Sequence, residues 1–281
     1  MLEVNRVLLK RIVENALNED IGSGDLTTEI VFNKNEIVFG KLVAKEAGII
    51  AGLPVAELVF KTLDSGIKWR QLVADGTKVS VGDNIAEING SVQAILSGER
   101  TALNFLQRLS AIATKTNLFA EKAAKFNVKI LDTRKTTPVL RALEKYAVRV
   151  GGGVNHRFGL YDAAMIKDNH IEEAGSIARA VALLKESLPM TAKIEVEIQT
   201  MEQIEEALAC KVDIIMLDNM PSEEMKKVVD LIDGKALVEA SGKMSLDSID
   251  NVAACGVNYI SVGALTHSIQ SLDISLDLYK P

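Results

Sequence analysis

The chain has 281 residues, 48% of them hydrophobic and 25% charged, and carries a net charge of −6. That length can bury the core of two ordinary domains, or of one barrel with an appendage, and the composition excludes intrinsic disorder and a short disulfide-stapled scaffold. The acidic balance argues against broad nucleic-acid binding, so any anion this chain holds must meet a local cluster of cations.

Residues 1–20 interleave apolar and charged side chains, which predicts an amphipathic helix and lacks the unbroken apolar core of a secretory leader. No window reaches the roughly 18 apolar residues of a membrane span, so no membrane association is expected and the cytoplasm is the default compartment. From Ile37 to Ile95, short apolar runs such as Ile37-Val38-Phe39 alternate with turn signals such as Asp75-Gly76 and Asn89-Gly90. That pattern predicts short strands in a mostly antiparallel sheet. The segment DGTKVSVGDNIAEING looks like the paired hairpins of biotinyl and lipoyl carrier modules, yet no lysine is presented in a tight turn for modification, so the likeness reads as structural only.

After Ser97-Gly98-Glu99 a helix is predicted from Arg100 to about Phe126, bridging an N-terminal domain (1–110) and a second domain (111–281). Beyond it, apolar runs end abruptly in polar residues. These are Lys129–Asp132 before Thr133-Arg134-Lys135, Ala163–Ile166 before Lys167, Ile194–Val196 before Glu197, Ile214–Leu217 before Asp218, Ala236–Ala240 before Ser241-Gly242-Lys243, and Tyr259–Val262 before Gly263. Amphipathic segments at 172–188, 201–209 and 222–232 separate most of them, the second opening on a capping box of Thr200 with Gln203. Strand and helix in alternation mean parallel strands joined by right-handed crossovers. The six runs, with residues 151–156 as a candidate seventh, fall short of the about 250 residues of a full barrel, so an open, incomplete parallel α/β barrel is expected. Cys210 and Cys255 sit in apolar stretches without metal-ligand spacing and read as reduced core thiols.

In parallel α/β folds ligands bind at the carboxyl ends of the strands, where the charged residues of this sequence fall. Arg134, Lys135, His156, Arg157 and Lys167 form a cationic set that would repel itself without an anion. Guanidinium forks suit carboxylates and phosphates. Glu197 and Asp218, facing the same anion, make sense if they hold sugar hydroxyls or bridge to a divalent cation, directly or through water. A salt bridge to a nearby lysine is the structural alternative for these acids. Ser241-Gly242-Lys243 and Val262-Gly263-Ala264 are small-residue turns that let backbone amides approach a phosphate.

The run LDTRKTTPVLRALEKYAVRVGGGVNHRFGLYDAAMIKDNH, residues 131–170, resembles the signature region of quinolinate phosphoribosyltransferases. The resemblance extends through EDIGSGDLTT, GERTALNFLQRLSAIAT, VEIQT, IMLDNM, VEASGKMS and ISVGALTHS, nearly the whole chain. It implies an N-terminal α/β sandwich-like domain before the open barrel, and transfer of a phosphoribosyl group to quinolinate with decarboxylation. By motif it implies that Thr133, Arg134, His156, Arg157 and Lys167 hold quinolinate, with Arg100 reaching in from a neighbouring subunit of a homodimer, itself open to further assembly. Lys135, Glu197 and Asp218 would be catalytic and hold phosphoribosyl pyrophosphate and Mg2+, while Ser241 to Lys243 and Val262 to Ala264 take its 5'-phosphate with His267 nearby. Three other readings remain open at this point: a paralogue acting on another aromatic acid, a Schiff-base aldolase using Lys167, and an inactive metabolite-binding barrel.

Overall fold

The computed structural model describes residues 4–33 and 35–279, so the first three residues of the expected N-terminal helix lie outside it. The chain opens with α1 (Arg6–Ile21), α2 (Leu26–Val31), β1 (Ile37–Ala44), β2 (Gly48–Ile49), α3 (Leu53–Leu63), β3 (Lys68–Gln71), β4 (Lys78–Val79) and β5 (Asn84–Ser91). Then come α4 (Val92–Ala124), β6 (Lys129–Leu131), α5 (Arg141–Val150), β7 (Ala164–Ile166), α6 (Asp168–Ala174) and α7 (Ile177–Ser187). Last are β8 (Ile194–Ile198), α8 (Met201–Ala209), β9 (Ile214–Asp218), α9 (Ser222–Ile232), β10 (Leu237–Ser241), α10 (Ile249–Ala253), β11 (Tyr259–Ser261), α11 (Ala264–His267) and β12 (Ile274–Tyr279).

These elements form two compact units. One holds the chain up to Asn117, the segment Thr136–Gly152, and everything from Ser268 onward. Its four-stranded antiparallel sheet has the order β12-β1-β5-β3, so the last strand returns to pair with the first. Leu42 of β1, fully buried, lies opposite Leu276 on one side and Ala86 on the other. The expected helix at the N-terminus is α1, capped by the Asn5 side chain and burying Leu9, Ile12, Val13 and Leu17 along one stripe.

Two expectations are corrected here. Residues 37–95 are not strands and turns throughout, because Leu53–Leu63 is a helix with Val55, Ala56, Val59 and Phe60 buried. Pro54 suits its first turn, and the Asp75 carboxylate accepts from the amides of Gly52 and Leu53 at 2.8 and 3.1 Å, supplying the cap that the sequence did not advertise. The long helix also starts at Val92 rather than Arg100.

The second unit comprises Leu118–Lys135 and Gly153–His267. Its six-stranded parallel sheet has the order β6-β11-β10-β9-β8-β7, and among the described residues no pairing joins β6 to β7. The barrel is therefore open, as expected. All six predicted strands are present, whereas residues 151–156 contribute only a single parallel bridge between Val154 and Leu131. The capping box of Thr200 and Gln203 opens α8 as read from the sequence. The expected helix over residues 172–188 is instead two helices, broken at Gly175, whose φ of 88° is left-handed, and restarted by the Ser176 side chain.

Candidate active site

Side chains two apart on a strand share a face, so each parallel strand sends two residues into the barrel, one deep and one at the mouth. Met165 on β7 and Lys167 just beyond its end follow this rule, as do Glu195 and Glu197 on β8, Met216 and Asp218 on β9, and Glu239 and Ser241 on β10. Together with Thr133, Arg134, Lys135, His156, Arg157 and Ser261 most of these line one cavity of about 450 Å3. It lies entirely within the second unit.

At the mouth, Lys167 Nζ pairs with Glu197 Oε2, which is the structural alternative considered for that acid. The Lys167 backbone N–H donates to His170 Nδ1 at 3.0 Å, so His170 serves the start of α6. Asp218 accepts from the neighbouring Asn219 amide at 2.8 Å. Arg157 donates to the Ala163 carbonyl at 3.2 Å, and burial together with the nearby Arg134 charge lowers its pKa from the ordinary value. Two guanidinium-bearing residues held near each other in one cavity favour an anion between them.

The floor is built differently. His156 Nε2 lies 3.1 Å from Glu195 Oε2 and 3.4 Å from Glu239 Oε2, and Ser261 Oγ donates to Glu239 Oε1. Both glutamates are almost fully buried, at 2% and 1% exposure, and burial pushes the Glu195 carboxyl up. For His156 burial pushes the pKa down, but hydrogen bonds to Glu195 and Glu239 and their charges outweigh it and raise the value to about 10. Its Nδ1 sits 2.7 Å from the Arg157 amide, a contact that on its own favours a ring unprotonated there. Two carboxylates against the other nitrogen outweigh one contact between adjacent residues, so the net direction is upward. The loop bearing His156 and Arg157 is pinned by buried Asp132, which accepts from the Asn155 amide at 2.6 Å and the His156 N–H at 2.9 Å.

The structure thus gathers nine of the expected residues around one cavity: Thr133, Arg134, Lys135, His156, Arg157, Lys167, Glu197, Asp218 and Ser241. Gly242, Lys243, Val262, Gly263, Ala264 and His267 are not among its lining residues, though a side chain at Gly263 would meet the His267 ring and the Lys135 stem at 3.2 Å. These three therefore converge beside the end of β11. Arg100 belongs to the other unit, exposed on α4. Missed from the sequence were Asp132, Glu195, Glu239 and Ser261. The signal was present in part, since Glu195 and Glu239 are acids inside apolar strand runs, on the same face as the flagged Glu197 and Ser241.

An open parallel α/β barrel whose strand ends gather guanidinium, ammonium and carboxylate groups around one cavity defines a class: a barrel enzyme for polyanionic substrates. Residues 25–110 match the model of the quinolinate phosphoribosyl transferase N-terminal domain and residues 112–277 that of its C-terminal domain. The chain belongs to the quinolinate phosphoribosyltransferase family. It is 46% identical to the probable nicotinate-nucleotide pyrophosphorylase [carboxylating] of Bacillus subtilis, over 98% of this chain and 95% of that one. The corresponding Mycobacterium leprae protein is 42% identical over 95% of each. The crystal structure of NadC from Streptococcus pyogenes superposes with a TM-score of 0.95 at 42% identity, covering 100% of both chains.

Proposed function

We propose that this cavity joins the ring nitrogen of quinolinate to the anomeric carbon of phosphoribosyl pyrophosphate, releasing pyrophosphate and then carbon dioxide to give nicotinate mononucleotide. The observation that carries this reading is the sorting of charge in one cavity: Arg134, Lys135, Arg157 and Lys167 stand beside Glu197 and Asp218. Two anionic substrates need the cations, and a ribose with its metal needs the acids.

Arg134, Arg157 and Lys167, with Thr133, take the two carboxylates of quinolinate, while His156, its ring held by Glu195 and Glu239, lends its charge from the floor. Lys167 must then leave Glu197, which frees that acid for the second substrate. Lys135, Glu197 and Asp218 hold phosphoribosyl pyrophosphate, and Ser241 to Lys243 with Val262 to Ala264 and His267 receive its 5'-phosphate. As the anomeric carbon becomes oxocarbenium-like, these side chains position the pyridine nitrogen and offset the charge of the departing pyrophosphate. The alkylated nitrogen is cationic and stabilises the carbanion left by carbon dioxide, which then takes up a proton.

The carboxylates of Glu197 and Asp218, on neighbouring strands and neither fully buried, are hard oxygen donors of the kind Mg2+ prefers. Glu197 and Asp218 would hold Mg2+, which would supply positive charge to offset that of the leaving group. The reading extends to a cytoplasmic enzyme, since both substrates are water-borne anions; among the described residues no helix is long and apolar enough to cross a membrane.

Incubating the pure protein with quinolinate, phosphoribosyl pyrophosphate and Mg2+ should release carbon dioxide and nicotinate mononucleotide in equal amounts, and the absence of both would end the proposal. A shared site in a homodimer, with Arg100 serving the partner, predicts that Arg100→Ala and Lys167→Ala protomers regain activity on mixing. One of the two sites in each heterodimer then carries neither lesion. Subunit exchange without recovery would assign Arg100 to its own chain or to no site.

A further inference from the structure

Asn219 follows directly on β9 and has a left-handed backbone, φ 53°. For a residue with a side chain that region is uncommon, and asparagine is among the few that enter it readily. Three contacts follow from this kink. The Asn219 amide nitrogen donates to Asp218 Oδ2 at 2.8 Å, and the Asn219 backbone N–H donates to the Ser241 carbonyl at 3.0 Å. Its side-chain oxygen crowds Gly242, where an added Cβ would lie 2.5 Å away. Gly242 itself has φ 130°, so the close approach and the backbone both demand glycine.

One residue thus ties the carboxylate at the end of β9 to the turn at the end of β10, two strands whose ends are in register, Asp218 opposite Ser241. A strand that merely needed to stop could end in glycine. Instead, the side chain here restrains one oxygen of Asp218 and closes the space over the Ser241–Gly242 peptide. Resting on the functional reading above, we propose that Asn219 is a positioning residue for phosphoribosyl pyrophosphate: it fixes the direction of the Asp218 carboxylate relative to the phosphate-receiving turn at Ser241 and Gly242. Quinolinate, held by Arg134, Arg157 and Lys167, is outside its reach of action.

Asn219→Gly separates the two roles, because glycine keeps the left-handed backbone without strain and removes only the amide. Asn219→Asp also tolerates that backbone but replaces a donor by a second carboxylate beside Asp218. Binding of phosphoribosyl pyrophosphate is measured by calorimetry over a Mg2+ titration, alongside steady-state kinetics for both substrates. Asn219→Gly should keep its melting temperature and its quinolinate KM, while losing roughly five- to tenfold in affinity for phosphoribosyl pyrophosphate. Asn219→Asp should lose more and shift the Mg2+ dependence. The inference is overturned if the parent binds phosphoribosyl pyrophosphate and both variants bind it as tightly, with the same Mg2+ dependence. A parent that binds none, with or without Mg2+, defeats the functional reading itself and this inference with it.

Discussion

The mouth and the floor of the barrel carry the same residue types to opposite ends. At the mouth Glu197 and Asp218 are partly open: Glu197 can exchange Lys167 for a ligand, and Asp218, steadied at one oxygen by Asn219, has the other to offer. On the floor Glu195 and Glu239 are buried within hydrogen-bonding range of one imidazole, and Glu239 also accepts from Ser261. The same carboxylate is thus a replaceable ligand when hydrated and a fixed part of the frame when dry, because the cost of leaving a buried charge unpaired is several kcal/mol. Burial depth along a single strand, Glu195 against Glu197, decides which role an acid plays.

If that division holds, conservative changes at the mouth should damage turnover most and stability least. Glu197→Gln and Asp218→Asn keep shape and remove charge where pyrophosphate leaves, so kcat should fall on the order of 100-fold with the melting temperature nearly unchanged. A Mg2+ titration should shift in the same variants. Unaltered kinetics in both would abolish the distinction. Glu197→Gln also releases Lys167, so its quinolinate affinity should hold or improve.

The clamp residues test the boundary between the layers. Arg157→Ala and Lys167→Ala each remove a charge-assisted contact to a carboxylate, with an expected loss of about 2 kcal/mol in quinolinate binding. Equilibrium binding of quinolinate alone is the measurement. Arg157 also donates to Ala163 and Lys167 also pairs with Glu197, so each variant should lose a little stability as well. Parent-like affinity in both would remove quinolinate from this part of the cavity.

The mouth was legible in the sequence, and of the floor only His156 was, for a physical reason. A strand that leaves the sheet exchanges an apolar environment for water at its carboxyl end, so Ile166-Lys167, Val196-Glu197 and Leu217-Asp218 mark both strand and site in one step. Glu195 and Glu239 lie within apolar runs, and what makes them tolerable is His156, brought to them by a loop far off in the sequence. Pairing across that distance leaves no local trace. The same holds for β12, whose partner β1 lies at the other end of the chain, and for α3, whose cap comes from Asp75 beyond the helix and a strand. Gly175 was visible as a residue, but an amphipathic pattern continuing on both sides of it concealed the break.

The smallest expected effect concerns the floor alone. The His156 side chain is 11% exposed, and its pKa is raised to about 10 because the two glutamates outweigh the effect of burial. A folded-state pKa above the unfolded value of about 6.5 means that the native state holds its proton longer. The resulting stability is fully present below about pH 6.5 and is lost as pH rises through about 10. Glu239→Gln keeps a hydrogen-bond acceptor for Ser261 and removes one of the two charges facing the ring. The folded pKa of His156 should then fall, so the variant has less of this stability to lose: both proteins begin to decline above the unfolded pKa, but the variant's decline should be complete at a lower pH than the parent's. Melting temperatures measured from pH 6.5 to 10.5 should show the variant curve levelling off first, so that the gap between the two curves narrows while the parent goes on falling towards about pH 10. A gap that stays constant up to the alkaline end would mean that Glu239 does not sustain the charge on His156, leaving Glu195 as the residue that does.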